Sequence, residues 1–244
     1  MEITSVHNPR VKAWVKLKEK KHRDSTRKFL VAGEHLIQEA LKADLLCELL
    51  VCKGSDPITE GVPVYEVTKE ILRKLTSLTS SENQIGVCEM PQYQQHMWER
   101  IIVLDGVQDP GNLGTIIRNA IAFDYQAILL SNDCADIYNE KVIRATQGAL
   151  FHLPILRCEL MKSLVELKKA QITIYATALR ESVPMQSIRP EPKHALIFGN
   201  EGTGIKNEIL QLCDYRIKIE MAAFESLNVA VASGICMYYF YQSQ

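Results

Sequence analysis

The chain has 244 residues, of which 47% are hydrophobic and 23% are charged, a balance typical of a folded globular protein. This composition excludes an intrinsically disordered, collagen-like or strongly charged tail protein. The net charge of −1 gives no overall signal for nucleic acid, although residues 1–28 hold nine Lys and Arg residues against three Asp and Glu residues.

A small α/β domain is predicted for residues 1–92, where short apolar runs alternate with helical spacing. The predicted helices cover residues 9–21, 34–42 and 69–75, and the predicted strands cover residues 29–32, 48–52, 64–67 and 84–89. The polar segment 91–99, with one Pro and three Gln, separates this domain from the rest of the chain.

A second, larger α/β domain is predicted for residues 98–244. Its predicted strands cover residues 101–105, 127–130, 172–177, 195–199 and 215–220. Its predicted helices cover residues 114–123, 140–149, 161–169 and 227–240, with another that begins near residue 205. The strands are apolar throughout, which is typical of a parallel sheet covered by helices on both faces.

A cytoplasmic protein without bound metal is expected from the cysteines and the chain start. The seven cysteines include no C-x-x-C pair and no His/Cys cluster, so reduced thiols are the simplest interpretation. The start of the chain has no apolar segment typical of a secretion signal. The apolar stretch 227–240 is shorter than the roughly 20 residues that cross a bilayer.

Three loops at predicted strand ends carry unusual residues, and ligands of parallel α/β sheets bind at this edge. The first follows strand 101–105 and reads DPGNLGTIIRN, with Arg118 one turn into the predicted helix. The second, GNEGTG at residues 199–204, has three glycines in six residues. It lacks both G-x-x-x-x-G-K-[ST] and G-x-G-x-x-G, so Lys206 is not a Walker A lysine.

The third loop leads from the strand at 215–220 through Ser226 and Asn228 into the last predicted helix. Either residue alone could be a simple helix N-cap. Small residues at positions 230 and 232–234 would let this helix pack closely on another element. Together the three loops favour one shared site over three independent turns.

In this order, the segments NLGTIIR (112–118), GNEGTG (199–204) and SLNVAVASG (226–234) resemble the motifs of the SpoU (TrmH-like) class of SPOUT RNA methyltransferases. The segment FLVAGEHLIQEAL (29–41) resembles the small RNA-binding-type domain that precedes the catalytic domain in that class. The resemblance implies a parallel-sheet SPOUT domain with a trefoil knot. It also implies S-adenosylmethionine as cofactor and methyl transfer to a ribose 2′-hydroxyl, with a homodimer formed through the C-terminal domain.

The resemblance also assigns roles to individual residues. Arg118 would activate the 2′-hydroxyl, and the rest of the catalytic set would be Asn112, Glu201, Ser226 and Asn228. The cofactor would be held by Gly199, Asn200, Gly202, Ile219, Met221 and Leu227. Family members usually have Pro after the position of Ile219 and a Gly soon after it. Here Glu220 follows, and the loop to Ser226 is one residue shorter.

The basic N-terminal stretch is expected to contact RNA, because Lys and Arg supply sequence-independent affinity for phosphates. The candidate residues are Arg10, Lys12, Lys16, Lys18, Lys20, Lys21 and Arg23. A solvated face of an amphipathic helix, with Val11, Trp14, Val15 and Leu17 buried, is the alternative.

Three functions remain open at this point. The first is an RNA 2′-O-ribose methyltransferase that acts on large-subunit (23S) rRNA, with tRNA as the alternative substrate. The second is a non-catalytic RNA-binding or assembly factor on the same fold. The third is a metabolite-binding α/β enzyme, which the missing phosphate-loop motifs disfavour.

Overall fold

The chain folds into two α/β units, which a computed structural model describes at residues 1–77, 82–93, 97–222 and 226–243. The first unit contains Met1–Tyr93 and also Asp136–His152, and the second contains Gln94–Ala135 and Leu153–Gln244. The segment 136–152, placed by sequence in the second domain, therefore packs within the first unit.

The first unit is built on a five-stranded mixed sheet with the strand order β1-β4-β3-β5-β2. Strand β5 is antiparallel to both of its neighbours, and the other pairs are parallel. The strands are β1 (Glu2–Ile3), β2 (Lys28–Ala32), β3 (Leu46–Cys52), β4 (Val64–Val67) and β5 (Gln84–Glu89). The helices are α1 (Pro9–Lys16), α2 (Lys20–Thr26), α3 (Glu34–Lys42) and α4 (Lys69–Leu75).

The single helix predicted over residues 9–21 is wrong, because the chain breaks between α1 and α2. Arg23 explains the break: its Nη1 donates to the carbonyls of Leu17 at 2.8 Å and Lys18 at 2.7 Å. These carbonyls would otherwise need partners from a continuing helix. Val11 and Trp14 are buried in the core of this unit, as the amphipathic interpretation of the stretch predicts.

The second unit is built on a seven-stranded sheet, parallel at every pairing, with the order β10-β12-β9-β11-β6-β7-β8. Its strands are β6 (Arg100–Asp105), β7 (Ala127–Leu130), β8 (Ile155–Arg157), β9 (Thr173–Thr177), β10 (Val183–Pro184), β11 (His194–Gly199) and β12 (Tyr215–Lys218). Every residue of β7 and β11 is buried. The parallel sheet covered on both faces is therefore confirmed.

The helices of the second half are α5 (Pro110–Ala122), α6 (Glu140–Thr146), α7 (Leu160–Lys169), α8 (Asn207–Leu210) and α9 (Val229–Gln242), of which α6 belongs to the first unit. Helix α5 begins four residues before the predicted start, because Asp109 caps it with a 2.8 Å bond from the Asn112 amide. Asn112 therefore lies in the first turn of α5, and Arg118 lies two turns into the helix rather than one.

Helices α5 and α9 approach each other closely, as the small residues of α9 predict. Asn119 Nδ2 of α5 donates to the Ala230 carbonyl at 3.2 Å and to Ser233 Oγ at 3.3 Å. A Cβ at Gly234 would lie 3.2 Å from the same Asn119 nitrogen. Among the residues that the structure describes, no helix is long and apolar enough to cross a membrane.

Candidate active site

The three unusual loops meet at one edge of the seven-stranded sheet. Strands β6 and β11 are neighbours, and β9 separates β11 from β12. Because all these strands are parallel, their carboxyl ends lie on the same side of the sheet. The segments that follow β6, β11 and β12 therefore form one site, which supports the interpretation of a shared site.

Three side chains, one from each loop, form a hydrogen-bonded series across this edge. Asn228 Nδ2 donates to Asn112 Oδ1 at 2.9 Å. Asn112 Nδ2 then donates to Glu201 Oε1 at 3.0 Å. We call these three residues the Asn–Asn–Glu relay. It links positions 89 and 116 residues apart in the chain, so it fixes the three loops relative to one another.

Glu201 anchors the relay to the start of α5. Its carboxylate also accepts the backbone amides of Asp109 at 3.1 Å and Gln108 at 3.3 Å. Burial by itself would raise the pKa of Glu201, but the hydrogen bonds from Asn112 and the backbone amides lower it overall. The carboxylate is therefore ionised at neutral pH and accepts from the loop that precedes α5.

Asn228 serves both of the roles weighed from the sequence. Its Oδ1 accepts the backbone amides of Ala230 at 2.9 Å and Val231 at 3.3 Å, so it is the N-cap of α9. Its Nδ2 is the first donor of the relay. Ser226, two residues earlier, is exposed, and its side chain has no hydrogen bond to another described residue.

Arg118 projects from α5 and is exposed. Its guanidinium has no hydrogen bond or ion pair with any residue that the structure describes. A free guanidinium next to an ordered relay is available to hold an anionic or hydroxyl group of a ligand.

The loop after β11 is closed tightly by its own backbone. Asn200 and Gly204 exchange two backbone hydrogen bonds of 3.0 Å each. Asn200 Oδ1 accepts the amides of Gly202 at 2.9 Å and Thr203 at 3.1 Å. A Cβ at Gly199 would lie 2.3 Å from the Gly204 carbonyl carbon, so only glycine fits there.

Lys206 holds this loop against the end of β6. Its Nζ lies 2.8 Å from Asp133 Oδ2 and 3.2 Å from the buried Asp105 Oδ1. The hydrogen bond with Lys206 lowers the pKa of Asp133 to about 2, and the same contact raises the pKa of Lys206 to about 12. Since its charge is already paired, Lys206 is not a free phosphate-binding lysine, in agreement with the missing Walker A motif.

The sequence did not single out Asp105, Asp133 or Lys206 as parts of one cluster. Only the acidic end of β6 hinted at it. A further segment was missed at the end of β9, which lies between β11 and β12 in the sheet. Leu179 there is 57% exposed, and Arg180 is exposed without an ion pair to a described residue. Their place in the strand order puts them at the same edge.

The segment after β12 offers an apolar surface with free backbone groups. Ile219 and Met221 are half-buried, and Leu227 is 39% exposed. The backbone amides of Glu220, Met221 and Ala222 have no acceptor within the described part of the chain. Apolar side chains beside unpaired backbone donors suit a flat heteroaromatic ring such as adenine, so this segment fits an adenosyl group.

The basic residues of the first unit fall into three groups. Lys12, Lys16 and Lys21 are exposed and make no ion pair with a described residue. The others are engaged: Arg10 with Tyr65 and Glu48, Lys18 with the Lys74 carbonyl, and Lys20 with Asp24. Arg23 is only 6% exposed and pairs with Asp136, so the structure makes it a structural residue rather than a surface phosphate contact.

Family models match nearly the whole chain. The model described as the SpoU rRNA Methylase family matches residues 99–238. The chain belongs to this family. The model of the MRM3-like substrate binding domain matches residues 8–86 of the same SpoU protein.

Similar proteins extend the comparison over both units of this SpoU protein. The 23S rRNA (guanosine(2553)-2′-O)-methyltransferase RlmP of Bacillus subtilis is 37% identical over 98% of each chain. The crystal structure of an AdoMet-bound rRNA methyltransferase from Sinorhizobium meliloti has a TM-score of 0.88 and 30% identity, with 99% of this chain and 97% of that chain covered. The SpoU methyltransferase AviRb from Streptomyces viridochromogenes, in complex with AdoMet, has a TM-score of 0.86 and 25% identity, covering 97% and 98%.

Proposed function

We propose that this SpoU protein methylates a ribose 2′-hydroxyl of 23S rRNA, with S-adenosylmethionine as the methyl donor. The observation that carries the proposal is the Asn–Asn–Glu relay, which joins all three family motifs, with Arg118 beside them unpaired among the described residues. A non-catalytic factor would have no need for such an arginine at an ordered, exposed edge.

The adenosyl part of the cofactor is assigned to the loops after β11 and β12. Gly199, Asn200 and Gly202 shape the first loop, and Ile219, Met221 and Leu227 supply the apolar surface of the second. The cofactor supplies an activated methyl group, so the protein needs neither a nucleophile nor a metal. Among the described residues, no group of three His, Cys, Asp or Glu side chains could hold a metal ion.

Arg118 is assigned to the substrate. An arginine remains protonated in proteins, so it does not act as the base that accepts the hydroxyl proton. Its fork of N–H donors binds the 2′-oxygen and a neighbouring phosphate, and this fixes the hydroxyl in line for transfer. Asn112, Glu201 and Asn228 hold the ends of α5 and α9 in place around it, and exposed Ser226 lies next to the target nucleotide.

The substrate is assigned from the basic stretch and from the relatives. Exposed Lys12, Lys16 and Lys21 provide phosphate affinity on the first unit. The Bacillus subtilis relative is named for a guanosine of 23S rRNA, and we infer the corresponding guanosine as the target here. This assignment implies a cytoplasmic enzyme.

A homodimer through α9 completes the proposal. This helix contains no charged residue, and Val231, Ile235, Tyr238 and Tyr241 are between 39% and 53% exposed. They recur every three or four residues and so form one stripe along the helix. An apolar stripe on a helix that is apolar on all sides is typical of a surface covered by another subunit.

Ribose-methylation mapping of total RNA from cells with and without the gene tests the function. We expect one 2′-O-methylguanosine of 23S rRNA to disappear in the deletion strain and to return with a plasmid copy. Disappearance of a tRNA site instead would replace the rRNA assignment, and unchanged methylation of all RNA would refute the enzymatic function.

Arg118→Ala provides the matched catalytic control. We expect the variant not to restore the missing methyl group, while its affinity for S-adenosylmethionine stays within about twofold of wild type, because Arg118 is assigned to the substrate. A variant that restores full methylation would remove Arg118 from the mechanism.

A further inference from the structure

The first unit contains a pocket of about 210 Å³ that none of the three motifs explains. Its walls come from two parts of the chain, residues 17–85 and residues 138–141. The second part belongs to the segment 136–152, which joins this unit from within the SpoU region of the sequence. The pocket therefore requires both parts of the chain.

One wall of the pocket is apolar. Leu30 and Ala32 lie two residues apart on β2, so they share one face of the sheet, and Ile85 of the neighbouring strand β5 adds to it. Tyr138 supplies an aromatic ring, which packs on Phe29 with 4.6 Å between ring centroids. A flat apolar space with one aromatic side chain suits a stacked ring.

Two lysines, Lys18 and Lys141, also line the pocket, and both are exposed. The nearby Glu140 does not offer a free carboxylate, because it accepts from Thr76 Oγ1 and from the amide and hydroxyl of Ser77. Burial by itself would raise the pKa of Glu140, but these hydrogen bonds lower it, so its charge stays paired inside the unit. Lys18 and Lys141 remain as cations beside an apolar space.

We propose that this pocket binds one unstacked base of the RNA substrate, with the flanking phosphates on Lys18 and Lys141. The pocket is smaller than the roughly 300–1,000 Å³ of sites for drug-sized ligands, so it has room for one base. Single-stranded RNA is recognised by stacking unpaired bases on aromatic side chains. The proposal rests on the proposed function, since it assumes that the bound RNA is the methylation substrate.

Filling the pocket tests this proposal. Ala32→Leu adds bulk at the apolar wall, and Ala43→Leu is its control at a half-buried position of the same unit outside the pocket. Lys141→Gln removes one cation, and Lys162→Gln does so at an exposed lysine of α7. The probe is unmodified 23S rRNA transcript that contains 4-thiouridine or 6-thioguanosine, with binding measured on filters and crosslinks mapped by mass spectrometry.

For Ala32→Leu we expect the RNA dissociation constant to rise about tenfold or more, because stacking of one base is worth about 1–3 kcal/mol. Affinity for S-adenosylmethionine and the melting temperature should match wild type, as should RNA binding by both controls. Wild type should form a crosslink to Tyr138 that is absent from Ala32→Leu. Should Ala32→Leu not fold, Lys141→Gln and the crosslink decide.

RNA affinity unchanged in Ala32→Leu and Lys141→Gln, with no crosslink in the segment 136–152, overturns the proposal. The binding and crosslinking arms need no turnover. A wild-type protein that binds through the pocket but does not methylate therefore refutes the proposed function and leaves the base site standing. Methylation that is equally efficient in Ala32→Leu does the reverse.

Discussion

Two substitutions at Asn228 separate its role as a helix cap from its role in the relay. Asn228→Ala removes the bonds to the Ala230 and Val231 amides together with the bond to Asn112. Loss of the cap costs about 1 kcal/mol. In a protein of this size, this lowers the melting temperature by roughly 2–4 °C.

Asn228→Asp keeps the cap, because a carboxylate accepts the same two amides and is favoured at a helix N-terminus. It breaks the relay, however. The Asn112 amide then lies between two carboxylates, residue 228 and Glu201, and in either orientation its oxygen faces one of them. A buried or partly buried hydrogen bond broken in this way costs about 1–3 kcal/mol, which corresponds to roughly a 5- to 150-fold change in rate.

The assay is steady-state methylation of the 23S rRNA transcript, combined with thermal denaturation of each variant. We expect Asn228→Asp to melt within about 1 °C of wild type, yet to have a kcat reduced about tenfold or more while KM for RNA changes little. Asn228→Ala should be reduced in both stability and kcat. A wild-type kcat for Asn228→Asp would refute the relay as a positioning device, and an unchanged melting temperature for Asn228→Ala would refute the cap.

Three further predictions concern RNA binding, pH and assembly. Charge reversal of Lys12, Lys16 and Lys21 to Glu should weaken RNA binding and reduce the salt slope by about one for each phosphate that the protein no longer binds; filter binding at several salt concentrations measures this, and an unaltered slope would return these lysines to a solvated helix face. Buried His194 has its pKa lowered from 6.5 to about 4 by desolvation, so the folded state holds it neutral and the unfolded state takes up its proton first. Stability is therefore complete above pH 6.5 and falls as the pH drops towards 4, by about 2 kcal/mol at pH 5; urea denaturation at pH 7 and 5 should show a smaller decrease in His194→Gln, and an equal decrease would exclude this histidine. Val231→Asp with Tyr238→Asp should convert a dimer into a monomer in analytical ultracentrifugation, whereas a wild-type protein that is already monomeric would contradict the α9 interface.

Local sequence patterns predicted most of the secondary structure. Helices 34–42 and 69–75 and strands 64–67 and 84–89 have the predicted bounds, because a single apolar face specifies each. The helix over residues 9–21 failed because its break depends on Arg23, whose partner Asp136 lies 113 residues away. The two-residue strands β1 and β10 were missed because such strands carry no periodic pattern.

The candidate site was predictable in composition but not in geometry. The motifs supplied Asn112, Glu201 and Asn228, while the order in which they bond required the structure. Lys206 was considered only as a phosphate-binding residue, and its pairing with Asp105 and Asp133 depends on strands that meet only in the folded sheet. The trefoil knot remains a prediction of the resemblance, which periodicity could not supply.

By itself the sequence determined the fold class, the family motifs and the residues at the sheet edge, because these depend on local patterns and short spacings. Tertiary structure alone decided that residues 136–152 complete the first unit, since that assignment depends on long-range contacts such as Phe29 with Tyr138 and Arg23 with Asp136. The same kind of long-range packing buries Arg23, whereas Arg118 stays exposed without a partner among the described residues. Two arginines that read alike in the sequence therefore have different environments, because burial and partner charges are set only when distant segments meet.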